Sequence, residues 1–537
     1  MLSKESPLQI LRTKSPIPFP KWMEQVETLS LKAMPTPSPL AEIESSFPHL
    51  AHKPLLDIIS SPSTPLPPLR IGAVFSGGQA PGGHNVLCGL FDALEQTKGT
   101  LIGFLGGPSG LIDGRYQELS KENLSSYRNM GGFDLLGSGR TKIETKEQQQ
   151  KALSLCLQLH LDGLVIIGGD DSNTNAAVLA EFFEQNSCTT KVIGVPKTID
   201  GDLQNAFVPI SFGFDTASKI YSELISNLAK DALSDRKYYH IIKLMGRTAS
   251  HVTLECALMT HPNYTLIAEE VFQKKLSLSN VVSDLCDLIV KRFEAGKSYG
   301  VLLIPEGLLE WVVEVQTLIQ ELNALLAKQE ALSIEEISPR LTSSSQECFT
   351  LLPLSIQKQL LSSRDPHGNV PVSSIETEKL LIELIQKELQ KRSFPGQFHP
   401  VPHFFGYEGR SGFPSLFDAA YCYTLGLAAF TLIAQKANGY MAFVSHLHLS
   451  PSDWKAGGVP LASLLHREKR GSSYKPVIQK ALVRLDHPAF LFFAKERENW
   501  RVDDCYRCVG PIQFPEGHPS CLDPPMTLSL NQGDSLH

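Results

Sequence analysis

Between residues 168 and 202 the chain gathers four carboxylates and a lysine behind short apolar runs, as Gly168-Gly169-Asp170-Asp171 and Pro196-Lys197-Thr198-Ile199-Asp200-Gly201-Asp202. These are the groups that phosphoryl transfer needs. Acids can hold a divalent cation, a lysine offers a point charge to phosphate oxygens, and a carboxylate within reach can take the proton of an attacking hydroxyl. The paired glycines let the backbone approach a ligand closely. On a short extended segment beside Thr198, the alternation of Asp200 and Asp202 would send both acids to one side. The plainer alternatives are a strand-to-helix turn capped by one aspartate and a pair of solvated loop acids.

A second loop, Gly77-Gly78-Gln79-Ala80-Pro81-Gly82-Gly83-His84-Asn85, has the composition of a phosphate cradle, with amide N–H groups and a helix N-terminus available to an anion. It lacks the Gly-Lys-Ser/Thr of a P-loop. It also lacks the glycine spacing and downstream acid of a dinucleotide fingerprint, which weighs against a nicotinamide-dependent oxidoreductase. A purely structural glycine turn is the competing reading.

The elements that must position these groups alternate. Ile71–Phe75 is strand-like and Asn85–Glu95 has helical spacing; further strands are expected near 101–105, 163–167, 191–195, 240–244 and 299–304. Helices are expected near 147–160, 172–185, 214–233 and 279–295. Such alternation predicts an α/β fold with parallel sheets, in which ligands gather beyond the C-terminal ends of the strands. Residues 308–392 break the rhythm with helical stretches at Leu308–Leu332 and Ile375–Lys391, the second with a capping box at Ser373-x-x-Glu376. They read as an insertion packed on its host. Residues 1–69 hold 13 of the 36 prolines and read as an extension draped over the folded body.

With 537 residues, two hydrophobic cores meeting at a cleft are expected. A net charge of −7 gives no overall reason to bind nucleic acid or an anionic membrane, and the apolar run Tyr421–Ala434 is too short to span a bilayer, so it reads as a core helix. Ten scattered cysteines, with no basic-then-apolar leader, favour a reducing cytoplasm. Cys505-x-x-Cys508 has no second ligand pair to make a zinc site.

The order of motifs then resembles the phosphofructokinase superfamily, and within it the long pyrophosphate-dependent fructose-6-phosphate 1-phosphotransferases. The resemblance runs through GGQAPGGHN, GGDDSN, PKTIDGD, Lys237-Tyr238-Tyr239-His240, Met245-Gly246-Arg247, Pro305-Glu306-Gly307 and Tyr407-Glu408-Gly409-Arg410. It implies two Rossmann-like three-layer domains: residues 70–211, completed by 409–537, holding diphosphate and Mg²⁺, and residues 212–408, with an insertion at about 308–395, holding the sugar phosphate. By resemblance, Asp200 is the proton acceptor, supported by Asp202, Lys197, Asp171 and Arg247. Asp170 is the Mg²⁺-associated acid, and Gly77 and Gly78 belong to the diphosphate loop. Thr198, Ile199, Met245, Gly246, Arg247, Glu306, Tyr407, Glu408, Gly409 and Arg410 surround fructose 6-phosphate. Lys237 and Tyr238 match a pair contributed by a neighbouring subunit, which implies a homodimer or homotetramer with shared sites.

Independently of that likeness, Arg247 and Arg410 can make forked contacts to phosphate oxygens, and Glu306 can accept from sugar hydroxyls. In ATP-using relatives the places of Asp171 and Lys197 are typically glycine. Asp171 would add bulk and like charge where a nucleotide α-phosphate passes, and Lys197 would serve compact pyrophosphate. An ATP-dependent kinase and a non-catalytic regulatory subunit are the alternatives; the first conflicts with Asp171 and Lys197, the second with the retained acids Asp170, Asp200 and Asp202.

Overall fold

The structure, a computed structural model, describes residues 5–36, 41–326, 333–362, 375–470 and 473–510. Its strands in chain order are β1 (Leu29–Met34), β2 (Leu55–Ser60), β3 (Arg70–Phe75), β4 (Thr100–Phe104), β5 (Tyr116–Leu119), β6 (Gly163–Gly168), β7 (Lys191–Thr198) and β8 (Phe212–Gly213). There follow β9 (Tyr238–Leu244), β10 (Tyr264–Thr265), β11 (Gly300–Pro305), β12 (His399–Phe405), β13 (Tyr440–Ser445), β14 (Lys455–Pro460), β15 (Leu465–Arg470) and β16 (Ser473–Ile478).

Ten strands form one sheet in the order β1-β2-β14-β13-β7-β6-β3-β4-β5, with β8 beside β7. Its centre, β13-β7-β6-β3-β4, is parallel, and β6 is buried along its whole length, as the continuous run Gly-Leu-Val-Ile-Ile requires. A second sheet, β10-β11-β9-β12, is wholly parallel. The α/β class expected from the alternation is therefore the class observed.

Three expectations need correction. The proline-rich extension is not merely draped: its β1 and β2 pair antiparallel with each other, and β2 pairs with β14, so the extension lengthens the large sheet. Leu29-Ser-Leu-Lys alternates inward and outward between the proline clusters, and that pattern outweighs the surrounding composition. The C-terminal region does not all return to the first unit. The helix Pro488–Val502 joins elements around the second sheet through Arg497–Glu270 and Arg501–Asp284 ion pairs and an Asn263 side chain donating to the Trp500 carbonyl. Of the stretch Leu308–Leu332, the described residues form a 3-10 turn and then a helix over Val313–Leu326, while residues 327–332 lie outside the described residues; the second insertion helix spans Thr377–Lys391, and the expected capping box at Ser373 also lies outside the described residues.

The insertion shares one apolar core with the second sheet, and Lys243 of β9 pins it by a buried ion pair to Glu378 at 3.2 Å and a hydrogen bond to the Ile375 carbonyl. Leu416–Ala434 is long and apolar enough to cross a membrane, yet 89% of it is buried inside the protein. It packs on the helix Gly83–Gln96 so closely that a Cβ on Gly89 would lie 2.2 Å from the Tyr423 carbonyl oxygen, and one on Gly426 2.3 Å from that of Val86. Only glycine permits that approach.

Candidate active site

Every motif singled out above, except Lys237-Tyr238, follows the C-terminal end of a parallel strand: Gly77-Gly78 after β3, Asp170-Asp171 after β6, Asp200 and Asp202 after β7, Met245–Arg247 after β9, Glu306 after β11 and Tyr407–Arg410 after β12. The two sheets bring these ends together. Arg247 Nε lies 3.5 Å from Asp200 Oδ2, and a Cβ on Gly78 would sit 3.3 Å from the Arg410 guanidinium. Side chains of one unit thus reach the loops of the other.

On the first side, Pro196–Thr198 are the last residues of β7, and Gly201, at φ +76°, turns the chain so that Asp200 and Asp202 both lie buried. The expected extended alternation is replaced by a turn. Asp200 is fixed by its amide donating to Thr198 Oγ1 at 3.1 Å, yet its Oδ1 is buried without a hydrogen-bond partner among the described residues. Such an orphan acceptor is costly unless a ligand serves it. Burial, reinforced by the charges of Asp200 and Asp170, pushes the Asp202 carboxyl up to about 7, with Lys480 acting in the opposite direction. Burial likewise lowers the Lys197 ammonium to about 8, while Asp200 and Asp170 hold it up.

Lys197 stands against the glycine loop, since a Cβ on Gly77 would meet its Nζ at 3.4 Å. The Gly77 amide itself donates to the Gly139 carbonyl at 2.9 Å and is not open to an anion, so the cradle depends less on this amide than its glycines suggest. Gly169 is the N-cap of the helix Asp170–Gln185, and the two acids occupy its first turn. Asp171 is paired with Lys142 at 3.3 Å, whereas Asp170 Oδ2 and Asp202 Oδ2 lie 3.7 and 3.9 Å from Lys480 Nζ. Neither lysine carries a sequence signal: Lys142 sits in Arg-Thr-Lys and Lys480 is a lone cation between Gln479 and Ala481.

On the second side, Glu306 Oε2 accepts from the amides of Gly246 and Arg247 at 3.1 and 2.8 Å. This holds Arg247 at φ +52°, a left-handed conformation that an arginine adopts only under constraint. One carboxylate oxygen of Glu306 is thereby committed to the backbone. Glu408 serves the backbone too, accepting from the Gly406 amide at 2.8 Å. A Cβ on Gly409 would lie 2.5 Å from Tyr221 Oη, which itself donates to the Gly406 carbonyl. Tyr407 is 73% exposed and stacks under the Arg410 guanidinium at 5.5 Å, so it is not a packed core aromatic; Arg410 Nε is a buried donor with no partner among the described residues. Met245 is buried, and Ile199 packs beneath the turn.

Lys237 and Tyr238 are not brought to this place. They lie at the opposite end of β9, with Tyr238 about 20 Å at the rise of an extended strand from Leu244, the residue before Met245–Arg247. A separate cavity of ≈ 260 Å³ is lined by Tyr264, Glu270, Asp284, Arg497 and Arg501, whose charges are paired among themselves.

A family model described as phosphofructokinase matches residues 70–433. The chain is similar to the pyrophosphate–fructose 6-phosphate 1-phosphotransferase subunit beta 2 of Arabidopsis thaliana, 51% identical over 482 residues that cover 88% of this chain and 85% of that protein. It is 50% identical over 479 residues to the pyrophosphate–fructose 6-phosphate 1-phosphotransferase of Treponema pallidum, covering 86% of this chain and 84% of that one. Among solved structures, the pyrophosphate-dependent phosphofructokinase of Marinobacter aquaeolei shares the fold with a TM-score of 0.54 at 15% identity, over 84% of this chain and 95% of that one. Likeness over most of the sequence, added to two parallel sheets whose strand ends converge on one acid-and-arginine cluster, shows that the chain belongs to the phosphofructokinase family.

Proposed function

We propose that this chain transfers a phosphoryl group from inorganic pyrophosphate to the 1-hydroxyl of fructose 6-phosphate, reversibly, giving fructose 1,6-bisphosphate and orthophosphate in the cytoplasm. The observation that carries this reading is the pair of side chains at the donor loop. Lys197 is buried with its ammonium against Gly77, and Asp171 is held by Lys142 at the start of the helix after β6. A buried ammonium suits a compact, highly charged diphosphate, and a carboxylate beyond Asp170 adds like charge and bulk against a nucleotide. The names of the relatives support the same donor and acceptor.

In this mechanism Arg247 and Arg410 hold the 6-phosphate, and the free oxygen of Glu306 accepts from sugar hydroxyls. Thr198, Ile199, Met245 and Gly246 wall the sugar, and Tyr407 closes its outer side. Asp200, with Oδ1 unpartnered among the described residues and Oδ2 beside Arg247, takes the 1-hydroxyl proton as the oxygen attacks in line. Positioning and charge neutralisation carry most of the acceleration.

Magnesium fits the donor set. Burial first, and then the neighbouring charges of Asp200 and Asp170, drive Asp202 toward neutrality, and a bound cation would offset those charges. Magnesium is commonly held by one or two carboxylates together with phosphate oxygens, a set that Asp170 and a bound diphosphate would supply. Asp170 would hold it, and when bound it would neutralise charge on the transferring phosphate. The remoteness of Lys237 and Tyr238 from this chain's own site supports a homo-oligomer in which a second copy supplies them.

The test is bisphosphate formation by the purified protein with Mg²⁺ and fructose 6-phosphate, offered pyrophosphate or ATP. Transfer from pyrophosphate alone is expected. Equal or better transfer from ATP would sink the donor assignment, and no transfer from either would favour a regulatory subunit.

A further inference from the structure

The hairpin β15–β16 lies over the helix Asp170–Gln185, where the Ile478 amide donates to Thr174 Oγ1 at 3.1 Å. The chain then leaves the first unit. The Ala481 amide donates to the Asp202 carbonyl at 2.7 Å, the Ala481 carbonyl is paired with His251 Nε2 at 3.0 Å, and the Val483 amide donates to Glu269 Oε1 at 2.9 Å. His251 and Glu269 begin helices beside the second sheet. Residues 478–483 are therefore a strap, anchored on both units and passing across the mouth between them.

The side chain that this strap delivers to the acids is Lys480. Its Nζ stands 3.7 Å from Asp170 Oδ2 and 3.9 Å from Asp202 Oδ2, and Glu310 also feels its charge. Those separations are ionic contacts, longer than hydrogen bonds. Among the described residues the ammonium donates no hydrogen bond, though it carries three N–H groups, and its side chain remains 35% exposed. Lys197 stands against Gly77, and its ammonium feels the charges of Asp200 and Asp170 in the same cluster. A ligand with several negative charges bound at these acids would meet the charge of both ammonium groups.

We propose that Lys480 is a diphosphate-binding residue: the strap sets its ammonium between Asp170 and Asp202, where it donates to the oxygens of the incoming diphosphate and keeps those two acids from repelling it. The inference deepens the pyrophosphate reading and rests on it. It also gives the strap a task, because the donor's cation is tied by the adjacent backbone to the unit that holds the sugar phosphate.

The experiment measures binding of methylenediphosphonate, a non-transferable diphosphate, with Mg²⁺, by calorimetry, beside fructose 6-phosphate binding to the same preparations. Lys480→Met, which keeps the length of the side chain, should weaken diphosphonate binding about 10- to 100-fold, the loss expected for a charged hydrogen-bonding partner. Its fructose 6-phosphate affinity and melting temperature should match wild type, and Lys480→Arg should recover most of the diphosphonate affinity. Unaltered diphosphonate binding in Lys480→Met overturns the proposal. A parallel loss of both ligands, or a loss that Lys480→Arg shares in full, also overturns it and leaves the residue as a strap anchor. If wild-type protein binds an ATP analogue but no diphosphonate, the pyrophosphate reading itself has failed, and that result differs from every outcome confined to the variant.

Discussion

Replacing Asp200 by asparagine keeps the shape of the side chain and removes its charge and basicity at a buried carboxylate oxygen that has no partner among the described residues. Oδ2 faces Arg247, which is 43% exposed at its side chain, so solvent weakens that ion pair to the range of an exposed one, about 1 kcal/mol or less. The loss should therefore fall on the chemical step. A positioned general base contributes about 10²- to 10⁴-fold, so kcat with pyrophosphate should drop about 10³-fold, equivalent to about 4 kcal/mol of barrier. The fructose 6-phosphate KM should change by no more than about fivefold, the equivalent of the weak ion pair. A coupled assay in both directions checks this, because the same side chain returns the proton when orthophosphate attacks the bisphosphate. A variant whose kcat stays within about tenfold of wild type, with the effect appearing in KM, would refute the role of Asp200 as base.

Donor choice should respond to Asp171→Gly combined with Lys197→Gly: the ratio of kcat/KM for ATP over pyrophosphate should rise by at least about tenfold, and an unchanged ratio in steady-state assays would count against the steric and electrostatic gate. Asp202 links stability to pH. Its folded value of about 7 lies above the ordinary 3.8, so the stability it contributes is complete below about pH 4 and is lost as pH rises through 7. In metal- and ligand-free protein, Asp202→Asn should thus raise the melting temperature at pH 8 and have little effect at pH 4.5; equal effects at both would contradict the sign. Arg292 is fully buried and donates to the carbonyls of Tyr299, Arg501 and Val502 and to Asp504. Arg292→Met strands these acceptors and should cost about 3–5 kcal/mol in denaturant unfolding.

What the sequence revealed divides along physical lines. Gly163–Ile167 and Ile71–Phe75 are apolar runs too uniform for a surface helix and bounded by glycine, so the central strands and the loops after them were legible. β12 was not: His-Pro-Val-Pro-His-Phe-Phe reads as a non-strand, yet it pairs only with β9, and at a sheet edge the missing proline N–H groups can face outward. β1 escaped notice for the reason already given, a local alternation hidden between prolines. Within the site, the residues held in short glycine-bearing motifs could be found because each motif marks a turn. Lys142 and Lys480 could not, since a lysine brought near an acid by a distant hairpin leaves no local pattern. Gly77 and Glu306 were legible as site residues, but not their commitments to the backbone, which depend on neighbours from other strands.

Asp200 and Lys197 cannot be separated into a base and a donor-binding cation. Burial lowers the Lys197 ammonium to about 8, and among the charges that act against this lowering that of Asp200 is the largest. In the proposed mechanism the carboxylate therefore supports the donor-side ammonium before it serves the acceptor. Once it takes the sugar proton, that support is withdrawn while the phosphoryl group moves away from Lys197 toward the sugar oxygen. In the proposed mechanism the sugar proton neutralises Asp200 while the Lys197 ammonium keeps its charge against the orthophosphate left behind, so neither side of the reaction leaves an uncompensated buried ion. In the reverse direction the proton departs as the diphosphate forms, and the ammonium regains its support when the full anion is present. A donor as small as pyrophosphate makes this coupling possible, because the lysine can lie deep beside the base instead of reaching along a nucleotide.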